Sequence, residues 1–168
     1  MSNSYETAAQ KIIPAVLLYA FRDGRLLMIH SKKWNGLGGK LELGEAPIDA
    51  AVREFAEEAS CQTSREQWMW LGQLYFPNFK SHKHEDWWVT VFVADLSADQ
   101  FAQIPVDDKN HPEGLLNFVP TTEVLSRELW DGDHFFLPYV FGRRPFQGTF
   151  FYENGKCVRH EIAAIELQ

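Results

Sequence analysis

Three glutamates, Glu54, Glu57 and Glu58, lie within five residues of one another. In an α-helix, residues three and four apart are neighbours, so these carboxylates share one side and repel by roughly 0.2–0.5 kcal/mol per pair. Crowding raises the pKa of at least one carboxyl unless a cation neutralises the group, and such a carboxylate can accept a proton from an attacking water. The spacing therefore predicts metal-assisted hydrolysis of a phosphoanhydride. The alternative is an acidic helix face that only contacts solvent.

A glycine-rich segment precedes the glutamates: residues 34–40 (WNGLGGK) carry three glycines within four positions. Glycine lets backbone N–H and carbonyl groups come close to ions and phosphates. Combined with hard carboxylate oxygens, such a segment suits Mg²⁺, which leaves several coordination positions to water and to substrate phosphates.

A helix over residues 47–59 is predicted to carry the glutamates. It begins with Pro47, a residue type favoured in the first helical turn. Its apolar side chains form one stripe, made of Ile48, Ala51, Val52, Phe55 and Ala59. The glutamates then lie on the opposite side, which we expect to face solvent.

Strand patterns outnumber helical ones. The apolar run 12–20 predicts a buried strand, with Pro14 indicating a sheet edge or a strand start. Aromatic and β-branched residues predict strands at 68–76 and 87–95, separated by a polar loop at 77–85. Hairpin turns are predicted before the short apolar segment 26–29 and in the C-terminal region, at Asp23-Gly24 and Asn154-Gly155.

Two further helices are predicted. One follows Thr121 or Thr122 as a cap and ends near Ser126. The other begins at Asp133 and ends before Gly142, with Pro138 inside it. Interspersed strands and helices indicate a mixed α/β or α+β fold, and the length of 168 residues suits a single domain over 1–168.

The composition excludes several classes of protein. Sixteen Lys and Arg against 23 Asp and Glu give a net charge of −7, which disfavours binding to long nucleic acid or to an anionic membrane. No run of apolar residues approaches the roughly 20 needed for a membrane span. The polar start MSNSYETAAQ lacks the apolar core of a signal peptide, so a cytoplasmic location is expected. Nothing in the composition indicates an oligomeric state.

The glutamates and the glycine segment together match the Nudix box, Gly-x5-Glu-x7-Arg-Glu-U-x-Glu-Glu-x-Gly-U, over residues 39–61. Gly39, Glu45, Arg53 and the three glutamates fill its fixed positions. Because background composition fills each position about once in fifteen, a chance match is on the order of one in ten million per starting position. Ser60 replaces the last glycine and Cys61 the last aliphatic, so we expect Ser60 to have left-handed backbone angles.

The chain therefore resembles the Nudix hydrolase family. Residues 34–45, 130–135 (WDGDHF) and the hairpin FQGTFFYENGK are similar to the MutT-related subgroup, which hydrolyses oxidised purine nucleoside triphosphates. The resemblance implies an α/β/α sandwich with a central mixed sheet. It also implies conversion of 8-oxo-dGTP to the monophosphate and pyrophosphate with Mg²⁺, for which Mn²⁺ can substitute.

The resemblance also implies roles for individual residues. Glu54, Glu58 and the Gly38 carbonyl would bind metal, and Arg53 would orient Glu54. Glu57 would be a further ligand or the proton acceptor. The implied set also contains an additional carboxylate and groups near the phosphates, namely Glu113, Gly39, Lys40 and His30. Glu113 has the alternative of an exposed loop acid.

A purine site is implied around Trp130. Its indole offers a flat face for stacking, Asn35 offers a donor and an acceptor, and Asp133 can accept from guanine, or donate when protonated in a dry pocket. The alternatives are core packing for Trp130 and a helix N-cap for Asp133. Animal members of the subgroup have two adjacent acids after the tryptophan, where this chain has Gly132-Asp133.

Other activities remain open at this point. The box also serves relatives that cleave dinucleoside polyphosphates, nucleotide sugars or pterin triphosphates, and some Nudix domains only sense nucleotides. Outside the box, 82–84 (HKH) is expected to be a polar loop, and Trp87 and Trp88 to point to opposite faces of a strand. Cys61 and Cys157 are expected to be small buried side chains.

Overall fold

The computed structural model describes residues 9–168, which contain nine strands and three α-helices. The strands are β1 (Lys11–Arg22), β2 (Arg25–His30), β3 (Trp34–Asn35), β4 (Leu37–Lys40), β5 (Met69–Lys80), β6 (Glu85–Asp95), β7 (Leu115–Pro120), β8 (Phe146–Glu153) and β9 (Lys156–Ala164). The helices are α1 (Pro47–Ala59), α2 (Ala98–Gln103) and α3 (Asp133–Phe141). Short 3₁₀ helices occupy Arg65–Gln67, Ser81–Lys83 and Val124–Ser126.

The strands form one mixed sheet in the order β3-β2-β1-β6-β5-β8-β9, with β4 paired to β1 and β7 to β2. The β1–β6 and β5–β8 pairs are parallel, and the other pairs are antiparallel. The predicted mixed α+β fold is therefore confirmed. Pro14 does not mark a sheet edge, because β1 is central and Pro14 lies opposite Trp88 of β6. It lies instead just before Ala15, where pairing with β4 begins.

Two apolar cores cover the two faces of the sheet. Alternation along β1 sends Val16 and Leu18 to the core beneath α1 and Tyr19 to the core beneath α3, because successive strand residues point to opposite faces. Phe55 of α1 anchors the first core and Phe136 of α3 anchors the second. Helices on both faces of a central mixed sheet are the layers expected of the sandwich.

Helix α1 spans the predicted residues and begins at Pro47 without a side-chain cap. Its apolar stripe includes Phe55, whose ring lies edge-on to Trp68 at 5.1 Å. The expectation that its acidic side faces solvent is correct for Glu57, whose side chain is 58% exposed, but wrong for Glu58, which is only 8% exposed. Helix α1 packs against β1 and β4. Strand β4 contains Gly38 and Gly39 and is called the glycine strand below; it covers part of the acidic side of α1.

Several elements differ from the sequence prediction. The helix expected after Thr121 or Thr122 is a single 3₁₀ turn, Val124–Ser126, capped by Glu123. Strand β5 continues past the predicted boundary to Lys80, and a 3₁₀ turn replaces most of the expected loop. Helix α2 was not predicted, although Ser97 and Gln100 form a capping box, which is a signal visible in the sequence.

The two cysteines differ in burial, and one further strand, β7, was not predicted. Cys61 is buried, whereas Cys157 is only partly buried, because it lies on β9 at the end of the sheet order. Strand β7 pairs with β2 over six residues. No helix within residues 9–168 has the length and hydropathy needed to cross a bilayer.

Ser60 ends α1 with the left-handed angles expected from the sequence, φ 53° and ψ 36°. A β-carbon is strained in this region, so we expect Ser60→Gly to raise the free energy of unfolding by up to about 1 kcal/mol, less the entropy that glycine adds to the unfolded chain. Urea unfolding measures the change. The matched control is Ser64→Gly, at φ −95°, which is expected to lower stability. Equal gains in both variants would contradict the strain argument.

Candidate active site

Arg53 connects the acidic side chains of the site. Its Nε and Nη2 donate to the two carboxylate oxygens of Glu45 at 2.7 and 2.8 Å. Nη1 donates to Glu54 at 2.9 Å and, more weakly, to Glu57 at 3.4 Å, while Nη2 also donates to the Lys40 carbonyl at 3.1 Å. The bond from Arg53 lowers the pKa of Glu45. The guanidinium therefore fixes α1 to the chain that follows β4.

Glu54 lies directly against Gly39 of β4. A β-carbon added to Gly39 would overlap the Glu54 carboxylate, lying 2.6 Å from its Cδ, so only glycine allows this approach. Burial raises the pKa of Glu54, and the hydrogen bond from Arg53 opposes that shift. Arg53 thus orients Glu54. Because Gly39 has no β-carbon, the Glu54 carboxylate can lie close to the backbone of β4.

Glu58 is the most enclosed of the three box glutamates. The Gly38 N–H donates to its Oε1 at 3.1 Å. Burial raises the pKa of Glu58 to about 8; the bond from Gly38 opposes this, and the charges of Glu54, Glu113 and Glu57 add to it. The raised pKa indicates that the hydrogen bond from Gly38 does not fully compensate for the burial of Glu58 and for the neighbouring negative charges.

Glu57 and Glu113 approach the cluster from different sides. The Glu57 side chain is 58% exposed and contacts Arg53. Glu113 lies in the loop before β7, whose first residue pairs with His30 of β2. The charge of Glu113 raises the pKa of Glu58. Glu113 therefore lies near α1 in the fold, although it is far from α1 in sequence.

The donor set fits a hard divalent cation. Within residues 9–168, no three carboxylate, imidazole or thiol side chains converge into a ready-made metal site. The undercompensated charge on Glu58 and Glu54 is nevertheless what a cation would neutralise. Carboxylate and carbonyl oxygens are the ligands that Mg²⁺ accepts, with water and phosphates completing its shell. Glu54, Glu58, Glu57 and Glu113 are the side chains available to hold it.

A cavity of about 480 Å³ extends from the glycine strand across the sheet. Five predicted site residues line it, namely Asn35, Gly38, Gly39, Trp130 and Asp133. Gly38 and Gly39 are also the residues that contact Glu58 and Glu54. The acidic cluster therefore lies behind one wall of the cavity.

Asp133 is a buried residue of the cavity lining. It is 7% exposed, its Oδ2 has no hydrogen-bond partner among the described residues, and burial raises its pKa to about 8. The N-cap interpretation is wrong, because Gly132 caps α3 and Asp133 is the first helical residue. Burial therefore favours the neutral form of this carboxyl, and its Oδ2 is available to a ligand.

Trp130 and Asn35 also line the cavity beside Asp133. The Lys33 ammonium lies 5.2 Å from the Trp130 ring centre and donates to the Leu129 carbonyl at 3.3 Å. The side-chain oxygen of Asn35 accepts from the Gly36 N–H at 2.9 Å. These contacts hold the segments that carry Trp130 and Asn35 beside each other.

Two residues predicted to lie near the phosphates, His30 and Lys40, are not among the residues that line the cavity. The His30 ring lies 5.0 Å from that of Trp34. The Lys40 ammonium lies 5.3 Å from the ring of Trp87, which does line the cavity. Lys40 is therefore next to the cavity, whereas His30 packs against the neighbouring strand.

The sequence did not assign several cavity residues, namely Lys32, Phe76, Phe79, Trp87, Phe136 and Tyr152. Trp87 and Trp88 point to opposite faces as predicted, with Trp88 43% exposed. Alternation could have shown which two strands contribute rings, because Phe76 lies opposite Trp87 in the β5–β6 pair. The contribution of Tyr152, from β8, required the three-dimensional fold.

The chain is similar to known proteins in both sequence and fold. An oxidized purine nucleoside triphosphate hydrolase of Danio rerio is 26% identical over 157 residues, which cover 89% of this chain and 94% of the relative. A Mus musculus protein of the same name is 27% identical over 124 residues, covering 73% of this chain and 71% of the relative. The MutT protein structure from Bacillus halodurans has a TM-score of 0.76 at 22% identity, covering 89% and 97% of the two chains, so the two share a fold.

The sequence model of the NUDIX domain family matches residues 11–140. This match contains the glycine strand, α1 with its glutamates, and both Trp130 and Asp133. The chain belongs to the Nudix family of phosphoanhydride hydrolases.

Proposed function

We propose that the protein hydrolyses oxidised purine nucleoside triphosphates, with 8-oxo-dGTP as its main substrate, to the monophosphate and pyrophosphate. It would use Mg²⁺, or Mn²⁺ in its place, and act on the nucleotide pool of the cytoplasm. Relatives named oxidized purine nucleoside triphosphate hydrolase support this substrate class. Removal of a damaged precursor before it enters DNA would be the purpose of the reaction.

One observation carries the proposal: residues of β4 next to the acidic cluster and the residues proposed to bind the base line a single cavity. Gly38 and Gly39 line it at the acidic cluster, and Asn35, Trp130 and Asp133 line it elsewhere. A nucleoside triphosphate needs both kinds of environment at once, an apolar stacking surface for the base and a polar, cation-holding end for the phosphates.

At the phosphate end, Glu54, Glu58 and the Gly38 carbonyl would hold the cation, which when bound neutralises phosphate charge and lowers the pKa of water. Glu57 and Glu113 would be further ligands, and Glu57 is also the candidate proton acceptor. Arg53 keeps Glu54 in place through its 2.9 Å bond. Backbone groups of Gly39 and the nearby Lys40 ammonium would contact the phosphates.

At the base end, Trp130 would stack on the purine, a contact worth about 1–3 kcal/mol. Asn35 and Asp133 would hydrogen-bond its edge. Because burial raises the pKa of Asp133 to about 8, its neutral form can donate a hydrogen bond to an acceptor on the base, and its ionised form can accept one from a base N–H. With Gly132 instead of a second acid, a single carboxyl would have to distinguish oxidised from normal guanine.

A substrate screen tests the proposal. We expect Mg²⁺-dependent hydrolysis of 8-oxo-dGTP with kcat/KM at least about tenfold above that for dGTP, release of pyrophosphate, and loss of activity with EDTA that Mg²⁺ or Mn²⁺ restores. Dinucleoside polyphosphates, nucleotide sugars and a pterin triphosphate form the comparison panel. Equal kcat/KM for 8-oxo-dGTP and dGTP would remove the sanitising role, and inactivity on every substrate would favour a sensing domain.

Glu58→Gln separates catalysis from stability. The buried Glu58 carboxyl favours its neutral form without a cation, so we expect the variant to keep or raise the free energy of unfolding. Loss of a metal ligand should lower kcat by about 100-fold or more. Glu66→Gln, on an exposed 3₁₀ turn, is the matched control. Unchanged kcat in Glu58→Gln would show that the metal assignment is wrong.

Asp133→Asn tests the base end. We expect KM for 8-oxo-dGTP to rise about tenfold, the effect of roughly one hydrogen bond, with weaker discrimination against dGTP. Burial raises the pKa of Asp133 from 3.8 to about 8, so the folded wild type binds this proton more tightly than the unfolded chain. Its free energy of unfolding should therefore fall between about pH 4 and 8, an effect absent in Asp133→Asn. Parallel pH profiles of unfolding for the two proteins would refute the shift.

A further inference from the structure

Two buried polar atoms near the base end have no hydrogen-bond partner among the described residues: the Tyr19 hydroxyl and Asp133 Oδ2. Tyr19 lies on β1 and is fully buried. Buried polar atoms are nearly always paired in native proteins, and an unpaired one is costly. Two such atoms in one region of a core therefore require an explanation.

The surroundings of Tyr19 place its hydroxyl behind the cavity wall. The Tyr19 ring packs against Phe136 at 6.4 Å, and Phe136 lies one helical turn after Asp133 in α3. On the other side, a β-carbon added to Gly36 would lie 3.0 Å from Tyr19 Cζ, the atom that bears the hydroxyl. Gly36 and Asp133 both line the cavity. The phenol therefore extends between the Asn35–Gly36 segment and Asp133.

Electrostatic effects link the same two groups. Burial raises the pKa of Tyr19, and the negative charge of Asp133 raises it further, so the phenol keeps its proton and can donate it in a hydrogen bond. Burial raises the pKa of Asp133, a hydrogen bond with the Trp130 backbone and the charge of Lys33 lower it, and the charge of Asp131 raises it. The charge of Asp133 also raises the pKa of Tyr152, but the Tyr152 hydroxyl has a partner, the Gly132 N–H at 2.7 Å, whereas the Tyr19 hydroxyl has none among the described residues.

We propose that Tyr19 is a positioning residue for purine recognition: a small side-chain rotation lets its hydroxyl donate a hydrogen bond to Asp133 Oδ2, with or without a ligand, and leaves the other carboxyl oxygen to the base. The inference rests on the proposed function, in which Asp133 contacts the purine. It also gives Gly36 a role, because any side chain there would displace the phenol ring.

A double-mutant cycle in steady-state kinetics tests the pair. The wild type, Tyr19→Phe, Asp133→Leu and the double variant are assayed with 8-oxo-dGTP between pH 6 and 10. We expect Tyr19→Phe to raise KM between about threefold and tenfold, the range of one hydrogen bond, with kcat within about twofold of wild type. In the Asp133→Leu background, which has no acceptor at this position, the same substitution should leave KM unchanged.

The pH profile separates positioning from simple packing. Loss of a donor to Asp133 makes its charged form less stable, so the apparent pKa in the KM profile should be higher in Tyr19→Phe. Tyr75→Phe is the matched control, since Tyr75 packs against Trp88 on the other face of the sheet. A KM and pH profile like those of wild type in Tyr19→Phe, or an equal KM effect in both backgrounds, would overturn the proposal.

A measurement without substrate keeps the two proposals distinguishable. Urea unfolding of the same four variants reports the Asp133 pKa through the pH dependence of stability. Tyr19→Phe should extend the pH-dependent loss of stability to higher pH, and only when Asp133 is present. If wild type fails to prefer 8-oxo-dGTP but this shift occurs, the proposed substrate is wrong and the Tyr19–Asp133 pair stands. If the shift is absent, the pair is refuted whatever the substrate.

Discussion

Carboxylates that leave water require donors or cations in exchange, and the contact between α1 and β4 supplies the donors. The Gly38 N–H bonds Glu58, the Gly39 backbone admits Glu54, and Arg53 ties Glu54 to Glu45. These donors compensate only part of the charge, since Glu58 and Glu54 keep raised pKa values. A helix that buries acids so incompletely neutralised is suited to a cation, and the remainder of the fold positions this helix.

The central strand β1 connects that cluster to the base end. Its Leu17 pairs with Gly38, and its alternation sends Tyr19 into the core beneath α3, next to the helix that carries Asp133. Parallel pairing with β6 brings Trp87 to the cavity. One strand therefore fixes the distance between the acidic cluster and the part of the cavity lined by Trp130 and Asp133, the two regions that the proposed function requires to contact one nucleotide.

The sequence was most informative where chemistry depends on local spacing. The bounds of α1, the left-handed Ser60, the hairpin turns and the opposite faces of Trp87 and Trp88 all follow from helix, turn or strand geometry. It was least informative where tertiary contacts override local preference. Pro14 lies in a central strand because its missing N–H precedes the β4 pairing. Glu58 is buried because β4, distant in sequence, packs over it.

The sequence by itself determined the family: glutamates three and four residues apart and a glycine segment at a fixed distance form the Nudix box, which is readable because helix periodicity and backbone freedom are local properties. Only the tertiary structure decided which groups share the cavity. It separated His30 from the lining, added Tyr152 from β8, and placed Tyr19 where the charge of Asp133 raises its pKa. These outcomes depend on strand order and long-range packing, which no local pattern encodes.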